Sequence, residues 1–277
     1  MAPSGFSGRV ILRSNPLATA GSTDPSPSTP LNPMPTRRHF LFTLTALPLA
    51  ARLAAATANA REESLFDGTS LRGWKPTAKS PHSKASGNRT GGNWRAADGA
   101  IVGGQDTPGN GGLLLTEEQF GDVEITLETN NDFGPDSGIF LRCTEDGKAY
   151  QCLIDYHAGG TIGGILGEGI WNRRGVRNFT FGNRPEVITL NENTQPCPVT
   201  PAGWPDFWHV GRWNEIRARI VGDPPTITTW VNGVRILTHT EPKSVHPAKG
   251  HIGLQVHGGA VYGNGLVRYR NLRIRRL

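Results

Sequence analysis

An all-β fold, an antiparallel β-sandwich of jelly-roll type, is what this sequence predicts, and three observations predict it. From Ser64 onward the apolar residues recur with a period of two, in runs such as "DVEITLET", "YQCLIDYH", "NEIRARIV" and "GHIGLQVH". Turn dipeptides separate the runs, Asp146-Gly147 and Asn232-Gly233 among them. Helical periodicity is almost absent, while Gly and Pro are abundant. Many short strands with such turns bury their apolar faces best as two stacked sheets.

The front of the chain has a different character. Residues 1–33 are rich in Pro, Ser and Thr without apolar periodicity, and read as disordered or as a mis-assigned start. Met34 then opens a segment with the parts of an export signal over residues 34–60. These are Arg37-Arg38, an apolar run from Phe40 to Ala51, and a small-residue site at Ala58-Asn59-Ala60. "TRRHFL" is twin-arginine-like, so a periplasmic or secreted location is expected. Arg52 ends the apolar run well short of the ~20 residues of a membrane helix, which argues against an anchor. A single sandwich domain, expected to be catalytic, occupies 61–277. The net charge of +6 falls to +2 once the first 60 residues, with five Arg against Asp24, are set aside. That is weak support for a nucleic-acid partner, and the Arg-rich C-terminal run reads as a charged edge strand. Three cysteines in an exported chain suggest one disulfide and one free thiol.

Two hairpins can be registered. A two-residue turn at Asp146-Gly147 would set Arg142 opposite Gln151 and Leu141 opposite Cys152. Ile139, Leu141, Cys143, Tyr150, Cys152 and Ile154 then form a core face, and Arg142, Gln151, Asp155 and His157 share the other. In the preceding strand Val123, Ile125 and Leu127 face the core, and Glu124 and Glu128 extend the polar face. The second hairpin turns at Asn232-Gly233, with Ile227, Val231, Val234 and Ile236 inward and Trp230 outward, opposite Arg235. Two long inserts, from Lys75 and from Asn191, are long enough to be functional rims.

Taken in order, "SLFDGTSLRGW", "WRAADGAIVGG", "GGLLLTEEQFGDVEITLE", "SGIFLR", "YQCLID", "WNEIRARI", "TTWVNGV", "GLQVHGG" and "YRNLRIRRL" resemble the 3-keto-disaccharide hydrolase domain family. That family is similar to the concanavalin and laminin-G-like jelly rolls, and the match runs from Ser64 to Leu277. The resemblance implies secreted or periplasmic enzymes acting on glycosides oxidised at C3. This sequence departs from the pattern in the long Pro-rich stretch before "NEIRARI".

A ketone at C3 acidifies the C2 hydrogen, so a base can remove it and the aglycone can leave C1, after which water adds to the enone. Such a site needs a base near neutral pKa, a cationic group for the enolate oxygen, and an acid for the leaving oxygen. His257 suits the base, because an imidazole titrates near neutrality. Arg142 suits the enolate, with a cross-strand ion pair to Glu128 or Glu124 as the plainer alternative. Asp155, Glu128 and His157 are candidates for acid, alternative base or orienting partner. Gln255 and Gln151 are candidate substrate contacts. Trp230 and Trp171 are candidate sugar platforms, although a sandwich Trp is more often packing. No cofactor is required. A divalent metal on His157, His257, Asp155 or Glu128 is chemically sensible without being demanded by their spacing. The expected partners are a glycoside or oligosaccharide substrate and a separate sugar 3-oxidoreductase, because no dinucleotide motif is present. A lectin-like carbohydrate-binding module is the rival reading.

Overall fold

The structure, a computed structural model, describes residues 61–277 apart from 173, 193, 194 and 264. The segments 1–33 and 34–60, and the export signal expected there, lie outside the described residues. The strands are β1 (Glu63–Ser64), β2 (Trp74–Thr77), β3 (Asn93–Ala97), β4 (Ala100–Gly104), β5 (Gly112–Phe120), β6 (Val123–Thr129), β7 (Gly138–Cys143) and β8 (Ala149–Ile154). They continue as β9 (Ile162–Glu168), β10 (Phe179–Phe181), β11 (Ile188–Leu190), β12 (Asn214–Val221), β13 (Thr226–Val231), β14 (Val234–Thr240), β15 (Gly250–Val256) and β16 (Val267–Arg276). One sheet runs β14-β13-β12-β6-β16-β4-β3 with β1 on β16, and the other runs β2-β5-β15-β7-β8-β9. All their pairings are antiparallel. We call them the front and back sheets; the fold class is the predicted β-sandwich.

The two sheets use alternation differently. In β12 the residues Ile216, Ala218 and Ile220 are buried between the sheets, while Arg217 and Arg219 reach the outer surface. This is the pattern of a sheet with one wet face. In β7, β8 and β15 every position is buried. The outer face of the back sheet is therefore covered as well, by the insert that begins at Lys75. Its short 3₁₀ helix, Pro81–Ser86, is tied down where Ser83 Oγ donates to Gly111 O at 3.0 Å. A small second apolar cluster, Leu113, Leu115, Phe140, Cys143 and Ala149, lies on that covered face.

The Asn232-Gly233 hairpin has the predicted register, with Trp230 opposite Arg235. Both turn residues have positive φ, 45° and 79°. Ile227, Val231 and Ile236 are buried as expected, but Val234 is exposed at the hairpin tip. Gly233→Ala should destabilise the protein by roughly 1 kcal/mol, since a Cβ disfavours the left-handed region. Urea denaturation would detect it as a lower midpoint at unchanged slope.

The first hairpin differs from its expected register. Leu141 pairs with Tyr150 and Phe140 with Gln151. The turn closes through a Gly147 N–H to Thr144 O bond of 3.0 Å, with Gly147 at φ 89°. Thr144 N–H donates to Lys148 O at 2.9 Å, so the loop holds one residue more than expected, and a bulge supplies the second step of the two-residue offset. A bulge then interrupts the end of β7: His251 pairs with Cys143 but Gly253 with Phe140, and Arg142 sits at φ 52°. The bulge exchanges the two side chains. Cys143 turns onto the outer cover, and Arg142 turns inward, where Nη2 donates to Asp122 Oδ1 at 2.8 Å and to Gly222 O at 3.0 Å.

All three cysteines are free, which corrects the expected disulfide. Cys143 and Cys152 lie on opposite faces of the back sheet, and Cys197 is half-buried in the second insert. That insert is a plug more than a rim. The short helix α1 (Trp204–Phe207) buries Trp204 against Phe179 at 4.9 Å and in a stack with Trp208 at 5.9 Å.

Candidate functional site

The C-terminal end of β15, "LQVHGG", is the seed of the site. Gln255 points to the covered face, 1% exposed, and accepts at Oε1 from Gln151 Nε2 at 2.8 Å. The two strands that carry these glutamines are separated by β7. They meet because Gly138 of β7 has no side chain: a Cβ there would stand 2.3 Å from Gln151 Nε2. Gln255 then donates from Nε2 to His82 Nε2 at 2.9 Å. His82 comes from the 3₁₀ helix of the first insert and is 6% exposed.

Past β15 the chain turns under that insert. A Cβ on Gly258 would lie 2.4 Å from the His82 carbonyl oxygen, so only glycine permits this approach. Gln105 Nε2 holds the turn by donating to the His257 and Gly259 carbonyls, each at 2.9 Å. The His257 ring packs 4.5 Å from His82 and 4.6 Å from Tyr262, and Tyr262 lies 5.1 Å from His157. His257 Nδ1 donates to the Gly258 carbonyl, which leaves its Nε2 with a lone pair.

Behind Tyr262 sits an acidic pair. Asp136 Oδ2 is 3.5 Å from His157 Nε2, and the His157 Nδ1–H donates to Ala158 O at 2.8 Å. Asp136 and Asp155 hold carboxyl oxygens within 4.8 Å of each other, close enough for the charge of one to oppose ionisation of the other. Burial, and then the Asp136 charge, push Asp155 well above the ordinary 3.8. His157 is raised from the ordinary imidazole value: burial opposes the shift, but the Asp136 carboxylate and the Ala158 carbonyl outweigh it. Burial drives His82 the other way, down to about 3, and the neighbouring His257 adds to the effect. Glu168 of β9 is raised by burial.

Asp155→Asn should therefore stabilise the fold. The folded state holds a proton on Asp155 at pH values where the unfolded chain has lost it, so the carboxyl's cost grows as pH rises above its unfolded value. The gain in melting temperature should vanish below about pH 4 and grow toward neutrality. Thermal unfolding across that range checks it; a gain largest at acid pH would contradict the protonated assignment.

Of the residues predicted from sequence, the structure brings together His257, Gln255, Gln151, Asp155 and His157. It separates four others. Arg142 lies at the far end of β7, buried between the sheets, because of the bulge. Glu128 faces outward from the front sheet and pairs with Arg270 Nε at 2.6 Å. Trp230 is on that same outer face, clasped by Arg217 at 4.2 Å and Arg219 at 5.3 Å. Trp171 packs beside the core, donating to Glu241 and lying 4.9 Å from His239. Three members of the cluster were missed: His82, Asp136 and Tyr262. The length of the first insert was the available signal for His82. Asp136, Asp155 and His157 hold their donor atoms within 4.8 Å of one another, the spacing at which a divalent cation could be shared among the described residues. Glu128 is too far round the sandwich to join them.

The sequence matches the profile of the 3-keto-alpha-glucoside-1,2-lyase-like domain over residues 61–275. The chain belongs to that family. No curated protein matches it. Among solved structures it is similar to an inferred glycosyl hydrolase from Parabacteroides distasonis, at 16% identity and TM-score 0.48 over 83% of this chain and 98% of the other. It is also similar to the carbohydrate-binding module CBM66 from Bacillus subtilis, at 15% identity and TM-score 0.43 over 73% of this chain and 95% of that one. A Bacillus licheniformis beta-glucanase gives 11% identity and TM-score 0.45 over 78% and 97%. At such scores the likeness says nothing of chemistry. No helix among the described residues is long and apolar enough to cross a membrane.

Proposed function

We propose that this family member cleaves 3-keto-glycosides by elimination across C1 and C2, followed by hydration. The observation that carries the reading is the proton inventory of the cluster: a free imidazole lone pair on His257 beside groups that retain protons. His257 Nε2 takes the C2 proton, and the C–H electron pair moves into a C2=C3 enolate. The enolate collapses to a C1=C2 double bond with the ketone restored, and the C1–O bond breaks. The departing oxygen takes that electron pair and a proton. Tyr262, in ring contact with both His257 and His157, is placed to pass the proton from the Asp136–Asp155–His157 side. Water then adds to the enone, completing net hydrolysis. The C3 ketone must come from a separate oxidoreductase, and the segment 34–60 supports export of the enzyme to where glycosides are met.

The test compares 4-nitrophenyl glucoside with its 3-keto derivative. Nitrophenol should be released from the keto sugar and not from its parent. Release from both would favour ordinary two-carboxylate hydrolysis. Release from neither, with measurable oligosaccharide binding, would make this a carbohydrate-binding module.

A further inference from the structure

Arg142 was the sequence's candidate for stabilising the enolate oxygen, and the structure removes it to the far end of the sandwich. The elimination still develops a full negative charge on that oxygen, so another donor must face it. We propose that His82, as a neutral imidazole protonated on Nδ1, donates a hydrogen bond to the C3 oxygen of the substrate, and that Gln151 and Gln255 are positioning residues that fix its tautomer. The inference deepens the reaction proposed above and rests on it.

The hydrogen-bond sequence dictates the tautomer. Gln151 Nε2 donates to Gln255 Oε1 at 2.8 Å, so the other end of the Gln255 amide is its NH₂. That NH₂ meets His82 Nε2 at 2.9 Å, and two donors cannot share one contact. His82 Nε2 must therefore accept, and the ring hydrogen must sit on Nδ1. Gln151 is itself held, since Nε2 also reaches Ser137 O at 3.4 Å. Ser137 Oγ in turn donates to the Gln255 backbone carbonyl at 2.8 Å. No acceptor among the described residues takes the Nδ1 hydrogen.

The environment keeps the ring uncharged. Burial and the neighbouring His257 hold the His82 pKa down at about 3, against a smaller opposing pull from Asp136. The adjacent imidazoles are thus complementary. At 4.5 Å, His257 offers a lone pair on Nε2 and His82 offers a hydrogen on Nδ1. Because His82 carries no charge, it does not repel a proton arriving on His257. Its hydrogen stays on Nδ1 throughout; the electron pair enters C2=C3, loads the oxygen, and returns as C1–O breaks.

The experiment combines ¹⁵N NMR of the full chain with kinetics on the 3-keto nitrophenyl glucoside. His82 should show a protonated Nδ1 and a bare, hydrogen-bonded Nε2, with no titration between about pH 5 and 8. His82→Phe should lower kcat by roughly 10²–10³-fold, the loss seen when one oxyanion donor is removed. Gln255→Met, which deletes the relay without touching His82, should lower kcat less and give mixed tautomers. A wild-type protein inert to the keto sugar would overturn the reaction and this role together. An active wild type with His82 protonated on Nε2, or His82→Phe with undiminished kcat, would overturn the role of His82 alone. Should His82→Phe fold poorly, the wild-type spectrum and Gln255→Met still decide.

Discussion

Replacing His257 by alanine is expected to lower kcat on a 3-keto-glycoside by roughly 10²–10⁴-fold, the contribution of a positioned general base. KM should change little, because a base that acts only as the C–H bond breaks lowers kcat and kcat/KM together. The choice of His257 over its neighbour follows from which nitrogens are spoken for. His82 Nε2 accepts from Gln255, whereas His257 Nδ1 is bound to the Gly258 carbonyl and its Nε2 is left open. The same variant should lose exchange of the substrate's C2 hydrogen with heavy water, a readout that does not depend on the leaving group. Stability should hold within about 0.5 kcal/mol, since the ring is half-buried at the mouth of the cluster and not in the inter-sheet core. Unchanged kcat with exchange intact would move the base elsewhere.

The sequence predicted the sandwich because period-two alternation is a direct record of which side chains are buried. β6 shows both the strength and the boundary of that record. Val123, Ile125 and Leu127 are buried as predicted, and Glu128 does face outward. But a sandwich has two outer faces, and alternation within one strand carries no mark of which sheet the strand joins. Glu128 and Gln151 are both "outward", on opposite sides of the molecule. Arg142 failed for a different reason. One bulged residue at φ 52° exchanges the inward–outward sense of Arg142 and Cys143, and no local pattern in "GIFLRC" announces it. Gln255, Gln151, Asp155, His157 and His257 were legible because they break the polar composition expected of a wet face. His82 was not, because it comes from a loop, where no periodicity fixes direction. Only the unbroken burial of β7, β8 and β15 reveals that a loop lies over them.

That covering loop makes Gly258→Ala the second large effect. The substitution adds one methyl group, whose carbon would sit 2.4 Å from the His82 carbonyl oxygen and 3.0 Å from its carbonyl carbon. These are backbone atoms, so no side-chain rotation relieves the overlap. Either the turn after β15 or the 3₁₀ helix must retreat, and both alternatives are expensive. The turn is held by Gln105 on the carbonyls of His257 and Gly259, and the helix by Ser83 on Gly111 and by Gly111 N–H on His82 O at 3.0 Å. Overpacking of this kind costs about 1–3 kcal/mol in stability. The functional loss should be larger, because the shift falls between the two imidazoles. A displacement of about 1 Å between a base and the group it works with can cost around 10²-fold. The expected variant is folded, modestly less stable, and slower by that order. Hydrogen exchange should quicken in residues 78–92 but not in the inter-sheet core. Gly259→Ala is the control, since nothing stands closer than 3.6 Å to its added carbon and only the φ of 105° opposes it. Equal loss of activity in the two variants would mean that strain in the turn, and not the contact with the His82 backbone, sets the geometry of the pair.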